Sequence, residues 1–129
     1  MKTIFLAFFF IINLQCQQKD SHKATNAELQ KSKIEIIAAA DFKRAISKDK
    51  VQLVDVRTPS EYNDGHILNA LNINVNDDSF ANKIGKLDKT QTVYIYCRSG
   101  GRSQNAAKQM EALGFTHIVD LQGGFMNYN

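Results

Sequence analysis

An α/β fold with a mostly parallel central sheet and helices on both faces is the class this sequence predicts, on three observations. From residue 34 onward, short runs rich in valine, isoleucine and tyrosine alternate with stretches of helical periodicity. The run VQLVDV at 51–56 is apolar almost throughout, as a strand is when both of its faces are covered. The connections between runs are short, which favours strand–helix repeats over separate blocks of strands and helices.

The first residues stand apart from that pattern. Lys2 is followed at 4–12 by IFLAFFFII, an unbroken apolar run of the length of a signal-peptide core and too short for a bilayer span, which needs ~20 apolar residues. Residues 1–15 are therefore expected to be a signal peptide. The NLQC that closes it, followed by a polar stretch, resembles the lipobox of bacterial lipoproteins, with Gln15 where a small residue is usual and Asn13 where a leucine is usual. The resemblance implies lipidation at Cys16, a polar tether over 16–33, and an exported protein held at a membrane on the periplasmic side. Several acyl chains anchor firmly where one binds only marginally.

The folded domain is expected over 34–129. IEII at 34–37 is a short strand. A helix starts near Asp41, with Phe42, Ala45 and Ile46 on one face. VQLVDV (51–56), ALNINV (70–75), TVYIYC (92–97) and HIVDL (117–121) are the further strands. Residues 103–113 form a helix with Ala106, Ala107, Met110 and Leu113 inward, and Gly114 stops it. Hydrophobic content of 43% and charged content of 22% fit an ordinary globular domain. A net charge of +3 without any run of lysine or arginine excludes nucleic acid as a partner, so functional positive charge must be local.

The chain has two cysteines. With Cys16 assigned to lipid, Cys97 is left without a disulfide partner, and no CxxC or histidine pair at ligand spacing suggests a metal, since His22, His66 and His117 are scattered. Cys97 ends a strand and opens the loop CRSGGRS. Ligands of parallel sheets sit at the carboxyl ends of strands, where loops lead into helix N-termini. Gly100 and Gly101 allow the loop to curl, so that successive N–H groups point inward with a helix dipole behind them. A thiol placed there beside Arg98 and Arg102 is expected to ionise readily.

These residues resemble the rhodanese (sulfurtransferase) domain. The resemblance rests on LVDVRTPSEYNDGHILNALNI at 53–73, VYIYCRSGGRSQNAAKQMEALGF at 93–115 and VDLQGG at 119–124, in that order. It implies the rhodanese-like fold and a persulfide carried on Cys97. Arg98, Ser99, Gly100, Gly101, Arg102 and Ser103 would hold a small anionic sulfur donor such as thiosulfate. A thiol or cyanide-like acceptor, protein thiols among them, would take the sulfur, and no metal or organic cofactor is called for. Asp55 and Arg57 are read as an ionic network supporting the loop, Glu61 as a cap or ion-pair partner, and His66 as a residue that positions the chain. Tyr94 and Tyr96 are read as packing residues. Tyr128 stands where the family usually has a tryptophan.

Two other classes remain beside this one. The domain could be a non-enzymatic persulfide or redox-responsive binding module. A phosphatase or arsenate-reductase type of enzyme is the other, but such loops place five residues between cysteine and arginine, and here four separate Cys97 from Arg102.

Overall fold

A computed structural model describes residues 31–129. The expected signal peptide, the expected lipidation site Cys16 and most of the expected tether lie outside the described residues. Strand β1 (Lys33–Ile37) is followed by α1 (Ala39–Ile46), β2 (Gln52–Asp55), α2 (Pro59–Asn63), β3 (Leu71–Asn72), α3 (Phe80–Ile84), β4 (Val93–Tyr96), α4 (Gly101–Ala112) and β5 (His117–Leu121), and a 3-10 turn spans Phe125–Asn127. The strands make one sheet in the order β1-β5-β4-β2-β3, with every pair parallel. All carboxyl ends therefore lie along one edge, and β4 is in the middle.

Strand alternation divides the core between the two faces. On one side Val54, Val93, Ile95, Cys97 and Ile118 pack against Phe80 and Ile84 of α3 and Ala106, Ala107 and Met110 of α4. On the other, Leu53, Tyr96, Val119 and Leu121 pack against Phe42 and Ile46 of α1, Tyr62 of α2, and Phe125 and Tyr128 at the chain's end. Burial of one such large side chain contributes about 1.5–3 kcal/mol, so Phe42, fully enclosed and edge-on to Tyr94, anchors α1 almost alone.

Boundaries differ from the expected ones by what the backbone bonds to. Lys33 already donates to the Thr116 carbonyl at 2.9 Å, so β1 opens one residue before the expected start. The 70–75 run keeps only Leu71 and Asn72 as paired strand, although the N–H groups of Ile73 and Val75 still reach the carbonyls of Asp55 and Val56. Helix α4 begins at Gly101, two residues before the expected Ser103, because Gly100 turns the chain at φ +111° and its carbonyl receives the Gln104 N–H. Tyr128 stacks on Phe125, with the Lys43 ammonium over its ring.

Candidate active site

Cys97 follows the last residue of β4 and lies at the centre of the sheet's carboxyl edge. Its residue is 1% exposed. The next two, Arg98 and Ser99, are exposed, and Gly100 is buried. The left-handed Gly100 folds the loop back so that its N–H donates to Cys97 Sγ at 3.0 Å. Burial works against ionisation of this thiol. The donors around it outweigh burial, the Ser103 hydroxyl and N–H first and then the N–H groups of Gly100 and Ser99, and they hold the thiol below its ordinary value. Loop and helix start thus do what a thiolate site requires, and the first turn of α4 adds its dipole.

The two arginines of the loop are placed differently. Arg98 lines a shallow cavity together with Arg57, Glu61, Asp64, Gly65, Phe125 and Met126. Arg102 turns towards α2, where both terminal nitrogens donate to Glu61 at 2.7 Å. Glu61 is held in turn by a capping box with Thr58, whose N–H and hydroxyl donate to the carboxylate. The Arg102 ion pair first, aided by Thr58, brings the Glu61 carboxyl down to about 2. The guanidinium that the sequence assigns to the donor is thus occupied in clamping the loop to α2. Ser103 lies fully buried under the sulfur, its hydroxyl donating to the Gly100 carbonyl at 3.0 Å.

Asp55 and Arg57 form a buried ion pair at 2.6 Å beside the loop. Burial opposes the charge of Arg57, and the Asp55 carboxylate more than compensates. The same guanidinium donates to the Gly65 carbonyl and lies 4.3 Å from the centre of the Phe125 ring. His66 stacks on Tyr62 and bonds its carbonyl through Nδ1, so it fixes the chain after α2. Tyr96 does more than pack. Its hydroxyl accepts the Ile67 N–H at 3.0 Å, and burial pushes its phenol well above the ordinary value.

One part of the site had no assigned role in the sequence, although its motif was noted. Gly124 lies so close to the Cys97 loop that a Cβ there would be 2.5 Å from the Arg98 carbonyl and 2.6 Å from that of Cys97. Phe125 and Met126 then donate their N–H groups to those same two carbonyls at 2.8 and 3.1 Å. The second glycine of VDLQGG is required because the turn after β5 braces the loop from behind.

A parallel α/β domain with an enclosed cysteine at its central strand end, opening a loop into a helix, defines a class of cysteine-loop α/β proteins. Within that class, the model of the rhodanese-like domain matches residues 38–129, and the chain belongs to that family. The thiosulfate sulfurtransferase GlpE of Shewanella oneidensis is 39% identical over 75 residues, 58% of this chain and 72% of that protein. A sulfurtransferase of Allochromatium vinosum is 33% identical over 92 residues, 71% of this chain and 84% of that one. Other relatives are longer. The match spans 61% of an uncharacterized protein, YqhL, of Bacillus subtilis and 37% of a tRNA uridine(34) hydroxylase of Aster yellows witches'-broom phytoplasma. Among solved structures, a rhodanese-like domain protein of Staphylococcus aureus superposes with a TM-score of 0.66 at 30% identity, covering 74% of this chain and 91% of that one.

Proposed function

We propose that this protein is a sulfurtransferase that moves a sulfane sulfur from a small anionic donor, thiosulfate foremost, to a thiophilic acceptor through a persulfide on Cys97. The observation that carries the reading is the Gly100 N–H aimed at Cys97 Sγ from 3.0 Å, with the neighbouring donors that favour the thiolate.

The reaction has two displacements. The Cys97 thiolate attacks the outer sulfur of thiosulfate, the S–S bond of the donor breaks, and its electron pair leaves with sulfite. A nucleophile such as cyanide or a thiol then attacks the outer sulfur of the persulfide, and the Cys97 thiolate is regenerated. The terminal persulfide anion takes over the loop donors that served the thiolate. This is covalent nucleophilic catalysis with ping-pong kinetics. Asp55, Arg57, Glu61 and Arg102 hold the loop, and Arg98 is the cation of the loop left to meet the donor, having no ion pair among the described residues. The reading includes export and anchoring through Cys16, supported by the apolar run at 4–12 and the polar stretch after it.

Intact mass spectrometry tests the first step. Incubation with thiosulfate should add one sulfur atom, which cyanide or a thiol removes, and Cys97→Ser should add none and show no turnover. Sulfur transfer persisting in Cys97→Ser would sink the mechanism. Arg98→Ala should lower kcat/KM for thiosulfate by roughly threefold to tenfold, an effect eroded by salt because the side chain is exposed.

A further inference from the structure

The edge of the sheet opposite Cys97 carries a cavity of about 490 Å³. Residues 47–51 and 67–69 line it, and they immediately precede β2 and β3. Because every strand is parallel, these segments lie at the amino edge, on the side away from the sulfur. The two displacements use none of them.

The lining is apolar beneath and cationic at the rim. Ile46, Val51, Leu53 and Ile67 supply the apolar wall, while Lys43, Lys48 and Lys50, all exposed, set three ammonium groups against one carboxylate, Asp49. None of the three lysines has an ion pair among the described residues, whereas Lys33 and Lys83 are paired. Lys43 Nζ lies 4.7 Å from the centre of the Tyr128 ring, itself part of the lining. Lys50 at φ +61° and Asn69 at φ +67° are the two residues other than glycine with a left-handed backbone among the described residues, and both line this cavity. Glycine would adopt those turns more easily, so the strain keeps an ammonium and an amide on the wall. Leu68, between them and Ile67, is 81% exposed.

We propose that this cavity docks the phosphate-bearing headgroup of an anionic phospholipid, with Lys43, Lys48 and Lys50 on the phosphate and Leu68 entering the acyl boundary. Two observations select a lipid. The unpaired charge is positive, as an anionic bilayer surface requires, and it stands beside a large apolar side chain held in water, the combination by which a protein face lies on a membrane. The 30 residues that precede the described chain join it just before β1, whose start lies on the same edge as the cavity. A chain held at a bilayer through its first residues brings this edge nearest to the lipid. The inference rests on the proposed anchoring through Cys16 and adds to it a surface that fixes the orientation of the domain.

The test is lysine acetylation of the full-length protein by N-hydroxysuccinimidyl acetate, read residue by residue by peptide mass spectrometry, with vesicles of phosphatidylcholine alone or mixed with phosphatidylglycerol. Acetylation of Lys43, Lys48 and Lys50 should slow by about threefold or more in the mixed vesicles only, and high salt should restore it. Lys108, exposed on α4 across the sheet, should react equally in both. Insertion of the leader, or of acyl groups on Cys16, is common to both vesicles and does not produce the difference. Lys48→Gln should weaken binding to the mixed vesicles by about fivefold, and Leu68→Ser should weaken it at high salt as well, each with an unchanged far-UV circular dichroism spectrum. Equal acetylation of the three lysines in the two vesicles would overturn the proposal, as would slowing shared by Lys108. Slowing by inorganic phosphate that the mixed vesicles do not reproduce would assign the cavity to a free phosphate and overturn the lipid. Wild type absent from the membrane fraction of cells would refute the anchor, and the acetylation pattern would still decide the cavity.

Discussion

Cys97 and Asp120 are two acids in one core that burial pushes in the same direction, and hydrogen bonds decide their different outcomes. The Gly100 N–H donates to the sulfur at 3.0 Å, with Ser103 and Ser99 favouring the same ionised form, whereas Asp120 Oδ1 has no hydrogen-bond partner. The thiol is therefore held down and the carboxyl up. The consequence for stability follows from linkage. Because the folded protein holds the Asp120 proton more tightly than the unfolded chain, folding is favoured below about pH 4, and that advantage is lost as pH rises through about 6. Two pKa units correspond to about 3 kcal/mol as an upper bound. Asp120→Asn should therefore be more stable than the wild type at pH 8, by up to about 3 kcal/mol, and the gap should close near pH 4. Urea denaturation at the two pH values checks this, and a gap of the same size at both would show that ionisation of Asp120 is not its source.

Between elements, the loop is held by contacts that join distant parts of the chain. Gly124→Ala should force the Cys97 and Arg98 carbonyls to move, since its Cβ would overlap fixed backbone at a φ of +65°. We expect a stability loss of about 2 kcal/mol or more and a Cys97 alkylation pKa that returns towards the free-thiol value near ~8.5. Unchanged alkylation would mean that the brace does not set the loop. Glu61→Gln should cost about 1 kcal/mol, because the pair with Arg102 is near a third exposed and solvent screens it. Since the folded Glu61 value is depressed to about 2, the wild type's advantage should be present above about pH 4.5 and vanish as pH falls towards 2. What the sequence made legible here was local: the strand ending in Cys97, the glycine that turns the loop, and the Asp55–Arg57 pair two residues apart. Arg102 and Glu61 are 41 residues apart, and only the packing of α2 beside the loop brings them together. The clearance at Gly124 depends on where β5 lies beside β4, and α3 is a five-residue helix, too short for periodicity to declare.

At the scale of the whole molecule, the parallel sheet separates the two ends that matter. Every strand runs the same way, so the start of β1 lies on the edge opposite the carboxyl ends, and Cys97 belongs to the carboxyl edge. A chain tethered through Cys16 enters the domain at Lys33, and the 16 residues of 17–32 span at most about 55 Å when extended. Were the proposed anchor present, it would join the domain at the edge opposite Cys97, and the proposed sulfur site would face away from the bilayer. Anchoring should then change where the protein is and not how it reacts. Wild type expressed with its own leader should partition into the membrane fraction, and Cys16→Ser should be released or accumulate unprocessed. The two forms should share kcat/KM for thiosulfate with cyanide as acceptor to within about twofold, because neither reactant is restricted by a surface on the far side of the sheet. A wild type recovered wholly in the soluble fraction, with its N-terminus beyond residue 16, would refute the anchor. A membrane-bound form several-fold slower than the released one would instead show that the carboxyl edge faces the lipid and that the tether, not the sheet, sets the orientation.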